Sequence, residues 1–491
     1  MIRETRKLFL KNISATQTVF KNTFWLAIAD LMKKATGFAI VVWITRYFGA
    51  ATYGMWAFSL SFVSLFSSIA DFGFSTLSIR EIAYDKSKTA EYLDNILLIK
   101  IISASAAMGL IILFAQFLHK DSQTIRLIYF LGFYIVIDTF FNFFQSVFRA
   151  NEKMQYEAAC QIIVLLSLLV LVVIFALNNG SILAVSYAYI GATLVGIMIS
   201  VTAVWRFFTS FLQEISIGTC KHILRKAWPF ALSGVSIIIY YRIDSVMLGI
   251  FKRNEAVGYY NASYNIVFLV STAVALFQSA IFPALSASYK DSYEVFKQNI
   301  LRVFKFIHVL SFPLVIAVFF SAKLVISNIY GHQFAKNSPL ILQILIWCVL
   351  FLYNYAIFAI GLSASGRQIT FLKGVLYGAI FNIVTNLFAV PKYSYYGAAV
   401  TTVLTEILVC IYMTYWFSRF NNLKLPFGFV GKTVLSSSLM LFVIFCGLHY
   451  TELNILIPII LGFATYFVML VLLKVLKKNI LTDIRNLVLE K

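Results

Sequence analysis

Ionisable side chains stand where an apolar chain has least reason to keep them. Asp30, Lys33 and Lys34 fall near the middle of one long apolar stretch, Asp138 and Glu406 near the middle of two others, and Arg242 and Asp244 in the outer part of a fourth. A charge at the centre of a membrane helix costs about 2.5–3.5 kcal/mol on insertion scales, so it persists where it faces a cavity or a partner. Asp30 reaches Lys33 and Lys34 at i+3 and i+4 on a helix. The group reads either as a cationic cavity suited to a diphosphate or an acidic sugar, or as a self-neutralised structural pair. Arg242 and Asp244 diverge by about 200° on a helix and are poorly placed to pair with each other. The Arg fork binds oxyanions bidentately, which suits phosphate; the plainer reading is a bridge between two halves of the fold. Asp138 and Glu406 are lone carboxylates, and desolvation disfavours the charged form of such a group, so each can take up a proton. That suits cation coupling, and a hydrogen-bonded structural acid is the alternative. The candidates are therefore Lys33, Lys34 and Arg242 for an anionic substrate, and Asp30, Asp138, Asp244 and Glu406 for a coupling cation.

Other residues read more plainly. Lys100, Lys305, Lys323 and Lys373 lie within reach of a membrane surface, where snorkelling accounts for most of them. Lys305 and His308 share one helix face, and the His is more readily structural than a proton relay. Tyr240 and Tyr241 have faces that could stack on sugar rings, while most of the aromatic residues suit lipid and interface. Pro283, Pro313 and Pro458 can kink helices. No Walker A, HExxH, CxxC or GxSxG pattern occurs, so neither catalysis nor ATP hydrolysis by this chain is expected. The five cysteines, Cys160, Cys220, Cys348, Cys410 and Cys446, have no metal-type spacing, and no metal or cofactor is expected.

The elements that position these residues follow from composition. The 491 residues are 61% hydrophobic and only 12% charged, with mean hydropathy +0.86. Soluble domains carry about 25% charged residues. Lipid must therefore solvate most of this surface. Each crossing of a ~30 Å hydrocarbon core needs roughly 20 apolar residues, and about 14 such stretches consume the chain, leaving no room for a soluble domain. The expectation is an all-α polytopic membrane protein. β-Barrel strands are excluded, because they would be short and alternating. The N-terminus is polar, and the first apolar run is too long for a signal peptide. Long polar connections are expected near 77–91, 206–226 and 283–302.

The net charge of +20 does not point to nucleic acid, because its Lys and Arg are scattered over short loops. Alternate connections hold about 26 cations against about seven in the others. The rich set includes Arg3, Arg6, Lys7, Lys11, Lys86, Arg149, Lys226, Lys297, Lys477, Lys478, Arg485 and Lys491; the poor set includes Arg46, Lys120 and Lys252. Both termini are then cytoplasmic and the number of crossings is even. A faint repeat offsets Gly54, in Tyr53-Gly54-Met55-Trp56-Ala57, from Gly258, in Val257-Gly258-Tyr259-Tyr260-Asn261-Ala262. It gives two six-helix halves, residues 1–208 and 209–420, followed by two extra helices and a cytoplasmic tail in 421–491. Such parallel repeats mark transporters, with the substrate path where the repeats meet.

These motifs are familiar as a set. Arg46-Tyr47-Phe48-Gly49, Asp71-Phe72-Gly73-Phe74, Ile79-Arg80-Glu81-Ile82-Ala83 and Phe148-Arg149-Ala150-Asn151-Glu152-Lys153 resemble the first, second and fourth helices of bacterial polysaccharide flippases, and Arg242-Ile243-Asp244 with 257–262 resembles their seventh and eighth. Asp71 and Arg80 then read as motif residues packing loop to helix. The resemblance covers nearly the whole chain. It implies the multidrug/oligosaccharidyl-lipid/polysaccharide exporter superfamily, with O-antigen (Wzx-type) flippases of the inner membrane the nearest in kind. The implied substrate is an undecaprenyl-pyrophosphate-linked oligosaccharide, moved between leaflets with a counter-transported cation. The implied partners are membrane lipids, a polysaccharide polymerase and a chain-length regulator. Lipid II and drug exporters of the same superfamily remain alternatives. A membrane glycan polymerase or ligase is disfavoured, because it would carry a large outer loop.

Overall fold

The computed structural model describes residues 15–178, 180–208, 215–450 and 456–475. The terminal cations Arg3, Arg6, Lys7, Lys11, Lys477, Lys478, Arg485 and Lys491 lie outside the described residues. Within them the chain is a succession of helices: α1 (Ala15–Ser64), α2 (Ser67–Asp71), α3 (Phe74–Tyr84), α4 (Thr89–Gln116), α5 (Ser122–Ala150), α6 (Met154–Leu177), α7 (Ile182–Phe207) and α8 (Ile217–Phe251). There follow α9 (Asn254–Asp291), α10 (Tyr293–Tyr330), α11 (Ser338–Leu345), α12 (Trp347–Ala364), α13 (Gln368–Asn421), α14 (Phe427–Tyr450) and α15 (Leu456–Leu472).

Ten described segments are long and apolar enough to cross a bilayer. Two of them are double. α1 joins two helices at Gly49 (φ 77°, ψ −176°), and the 54-residue α13 joins two at Ser394 (φ 54°, ψ −137°). A straight helix of that length would reach about 80 Å, against a core of about 30 Å, so each kink separates two crossings. The 38-residue α9 and the shorter apolar α15 supply one more each, bringing the crossings to about fourteen. The chain is a multi-pass membrane protein. Gly49 has a backbone conformation that belongs almost wholly to glycine; Ser394 adopts a similarly strained one without that freedom.

Helix ends differ from the hydropathy reading. The connection expected at 283–302 does not exist as a loop: α9 and α10 are separated by Ser292 alone. The one expected at 77–91 is helical to Tyr84, followed by a short turn at Lys86–Lys88. Hydropathy finds the stretch that lipid must solvate, whereas backbone hydrogen bonding carries a helix on through polar residues into water.

Packing divides the chain into two compact units, Met1–Val257 and Gly258–Lys491. α8, which the repeat count assigns to the second half, packs on α1, α2, α3 and α4 of the first unit. The core at one end of that unit is aromatic and aliphatic, with Phe74, Leu77, Ile96, Phe143, Phe144 and Phe148 all buried. In the second unit Tyr466 of α15 donates from its hydroxyl to Val309 O of α10 at 2.8 Å, tying the last helix to that one.

Without a hydrophobic drive between helices in lipid, small residues set how closely they approach. Gly73 shows it best. It has φ +76°, and a Cβ there would lie 2.5 Å from Phe230 Cβ, 2.8 Å from Ala231 N and 2.9 Å from Ala227 O. Two of those neighbours are backbone and cannot swing aside. Gly73→Ala is expected to cost about 2–4 kcal/mol, from overpacking together with an unfavourable left-handed backbone. Quantifying the protein in membranes checks this, and undiminished abundance and melting temperature would count against it.

Candidate functional site

Polar chemistry in the first unit gathers around the place where the second crossing breaks. α2 ends at Asp71, the left-handed pair Phe72 and Gly73 follows, and α3 begins at Phe74. Beside this break opens a cavity of about 350 Å³, lined by Ser68, Asp71, Thr76, Asp138, Thr139 and Asn142 on its polar side and by Phe230 and Ile238 opposite. Elements α2, α3, α5 and α8 supply its walls.

Lys100 of α4 holds the break in place. Its ammonium donates to Asp71 Oδ1 at 2.8 Å, and its side chain is wholly buried. Ser75 Oγ also donates to Asp71 Oδ1, at 2.7 Å, and Ser103 Oγ donates to Ala70 O at 3.0 Å. The rings of Phe140 and Phe143 lie 5.5 and 5.8 Å from the ammonium. Snorkelling, expected of most of the lysines within reach of a membrane surface, does not describe Lys100. The side chain turns inward, because Asp71 on the neighbouring element gives it a better partner than the headgroups. Asp71 likewise does more than pack loop to helix: it is the counter-ion of a buried cation.

Asp138 projects from α5 into the same cavity. Asn142 donates from Nδ2 to Asp138 Oδ2 at 2.8 Å, and Lys33 and Lys100 both act on Asp138 through their charge. Arg242 and Asp138 act together on the buried Tyr134, which also packs edge-on to Tyr189 with centroids 5.1 Å apart. Lys33 thus acts on Asp138, and Arg242 and Asp138 share Tyr134 as a neighbour. Lys34 is engaged locally, at 2.7 Å from Asp30, with both side chains partly exposed. Lys33 is exposed and Arg242 half-buried. Asp244, two residues on, is buried.

Glu406 belongs to the second unit. It is buried on α13, one residue beyond Thr405, which belongs to a ladder of polar side chains. There Asn386 Nδ2 donates to Asn382 Oδ1 at 2.9 Å and Thr401 Oγ1 donates to Asn386 Oδ1 at 2.6 Å. Tyr240 is buried and Tyr241 exposed, and the two rings meet edge to face at 5.3 Å. His308 is buried with Nδ1 2.6 Å from Asn354 Oδ1, while Lys305 lies over the Phe429 ring at 5.8 Å.

Among the ion pairs that sequence reasoning missed, one is closely tied to these charges. Arg149 at the end of α5 forks onto Glu157 of α6, with Nε 2.9 and 2.8 Å from the two carboxylate oxygens and Glu157 fully buried. The signal was present: an Arg in a last helical turn and a Glu in the next first turn, across a three-residue connection. Charge links this pair to the others, since Asp30 acts on Arg149 and Lys33 on Glu157. Among the described residues, no group of three or more His, Cys, Asp or Glu side chains is disposed to hold a metal. The arrangement suits binding and charge compensation inside a membrane.

Comparison with known proteins agrees with this architecture. The family described as "Polysaccharide biosynthesis protein" matches residues 19–289. A protein of Haloferax volcanii named "Probable low-salt glycan biosynthesis flippase Agl15" is 22% identical over 463 residues, spanning 92% of this chain and 94% of that protein. The "Capsular polysaccharide biosynthesis protein CapF" of Staphylococcus aureus is 21% identical over 412 residues, 81% of this chain and 99% of its own. Among solved structures, a lipid II flippase MurJ in an inward closed conformation superposes with a TM-score of 0.74 at 16% identity, covering 90% of this chain and 97% of that one. At that identity the likeness establishes the fold.

Proposed function

The chain belongs to the polysaccharide biosynthesis protein family, and from that premise we propose that it is a flippase for a lipid-linked oligosaccharide. The substrate class is an undecaprenyl-pyrophosphate-linked glycan of the O-unit kind, carried across the cytoplasmic membrane for surface polysaccharide synthesis. The observation that carries this reading is the polar cavity lined by Asp71 and Asp138 among membrane helices, with Lys33 acting on Asp138 and Arg242 on the neighbouring Tyr134 through their charge. A pyrophosphate head must shed water to cross. Separated cations compensate it stepwise, and carboxylates beside them take up a cation when the anion leaves. The relative named as a glycan biosynthesis flippase, similar along nearly its whole length, supports the same assignment. The cation-rich end of the helices is the cytoplasmic one on this reading, with both termini on that side. A polymerase and a chain-length regulator are the partners that would consume the flipped unit.

Deletion tests it. Cells without the chain are expected to accumulate the lipid-linked oligosaccharide on the cytoplasmic leaflet and to lose nearly all surface glycan, with both restored by the gene on a plasmid. Surface polysaccharide of normal amount and length in the deletion, in a strain without a second flippase, would sink the assignment.

A further inference from the structure

α8 is seated on the first unit in two different ways. Along its middle, beside the cavity at Asp71, and at its far end the contact is close and glycine-mediated. A Cβ on Gly234 would come within 2.7 Å of Ser68 Oγ, and one on Gly249 would collide with the ring of Phe58. At the start of α8, by contrast, the contact is polar and surrounds a cavity of about 250 Å³ lined by Glu81, Lys88, Glu91, Thr219, His222 and Lys226. Glu81 is the hub there. Its carboxylate accepts from Lys226 Nζ of α8 at 2.8 Å, from Arg80 Nη2 of its own helix at 2.6 Å and from the Tyr92 hydroxyl of α4 at 3.2 Å. Thr219 Oγ1 donates to Glu91 Oε1 at 3.1 Å, and Ser216 N and the Cys220 thiol both approach Asn95 Oδ1, at 2.9 and 3.3 Å. Arg80 also lies over the Phe230 ring at 5.4 Å.

We propose that this end of α8 is a releasable clasp: Glu81 gathers α3, α4 and α8 through hydrated ion pairs that open during the transport cycle, while the glycine-lined remainder of the helix stays seated. The proposal rests on the transport reading above. Its physical basis is the contrast between the two contacts. An ion pair that borders water is weakened by salt and exchanges readily for hydration, whereas the fit of Gly73 against the α8 backbone and of Gly249 against the Phe58 ring leaves no room to loosen by degrees. Lys226 is about one-third exposed and Glu81 about one-fifth, so the pair holds without being locked. Neither Glu81 nor Lys226 belongs to the charged neighbourhood around Asp138, so the clasp can be altered without touching the groups assigned to the substrate.

Cys220 is a built-in probe, because it sits on the clasp beside Asn95. In a variant whose other four cysteines are replaced by Ala, purified in detergent, a water-soluble maleimide reports how often the clasp opens. E81Q and K226Q are each expected to raise the labelling rate about threefold or more. The E81Q/K226Q double variant is expected to label no faster than the faster single one, because both changes remove one shared interaction. High salt is expected to speed labelling of the parent and to leave the double variant unaffected. Equal labelling in parent and single variants, or fully multiplicative effects in the double, overturns the clasp. In cells, once deletion has shown the chain to be needed for surface glycan, the two single variants should reduce that glycan at normal membrane abundance. Faster labelling with undiminished surface glycan overturns its part in transport. The labelling arm involves no substrate, so its outcome is separate from that of the flippase assignment.

Discussion

Asp71→Leu is expected to remove most of the protein from the membrane. Asp71 is the counter-ion of Lys100, whose side chain has no exposed surface. Breaking a buried pair by deleting one partner leaves an uncompensated charge and typically costs about 3–5 kcal/mol, a large part of the 5–15 kcal/mol by which folded proteins generally survive. Lys100→Met is expected to be milder. Asp71 keeps its bond from Ser75 and is about one-quarter exposed to the cavity, so water solvates what Lys100 leaves behind. The double variant D71L/K100M should recover most of the abundance, since replacing both members of a buried pair with apolar groups is often neutral. Membrane abundance by immunoblot and thermal unfolding in detergent check all three. An Asp71→Leu protein as abundant and as heat-resistant as the parent would show that Lys100 finds compensation elsewhere.

Arg242→Ala is expected to reduce flipping by about a hundredfold at undiminished abundance. The first unit already matches Lys34 to Asp30, Lys100 to Asp71 and Arg149 to Glu157. Arg242 is in none of these pairs, is half-buried, and acts on the same tyrosine as Asp138. A cation within about 4 Å of an anionic head group is worth roughly 4 kcal/mol at an effective dielectric near 20, against about 1 kcal/mol in water. The difference corresponds to the predicted fall in rate. Arg242→Lys should recover only part of it, because the bidentate fork is lost. Lys33→Ala should have an intermediate effect and Lys34→Ala the smallest, since Asp30 already balances Lys34. Complementation of a deletion strain, scored as surface glycan per unit of membrane protein, is the measurement. Full complementation by the Arg242→Ala protein would leave Arg242 a structural residue.

What was legible in the sequence followed from solvent. Lipid demands apolar stretches of a set length, so the all-helical membrane fold could be read from composition, and the charges that break those stretches stood out as candidates. The structure links Asp138 by charge to Lys33 and, through Tyr134, to Arg242, and leaves Glu406 buried in the other unit. What escaped depends on geometry that composition does not encode. Nothing in the neighbourhood of Lys100 indicated that a carboxylate 29 positions earlier would turn toward it. The breaks near Gly49 and Ser394 fall where apolar stretches end, at 45–53 and 390–395; what stayed hidden is that helix continues up to a single kinked residue at each, because hydropathy registers where lipid must lie and is blind to backbone direction. Gly73 was noted as part of a motif, but its reason, the backbone of α8 pressed against it, needs the partner helix to be visible.

The single-residue joint at Ser292 has a consequence for where the protein rides in its bilayer. α9 and α10 are each 38 residues long, about 57 Å of helix, so each exceeds the hydrocarbon thickness by roughly 27 Å. With Ser292 between them, they form a rigid prong instead of a slack loop. Lys297 and Arg302 lie on this prong, with Lys297 held 2.6 Å from Glu294 and over the Tyr293 ring. Basic groups near an anionic leaflet are attracted by about 1 kcal/mol each. A stiff prong transmits that pull to the whole helix pair, where a flexible loop would absorb it. The draught of the second unit, how deeply it floats, is therefore set partly by the host membrane. Bilayers rich in anionic lipid should draw the pair toward the leaflet that faces the prong, and neutral bilayers should let it ride higher.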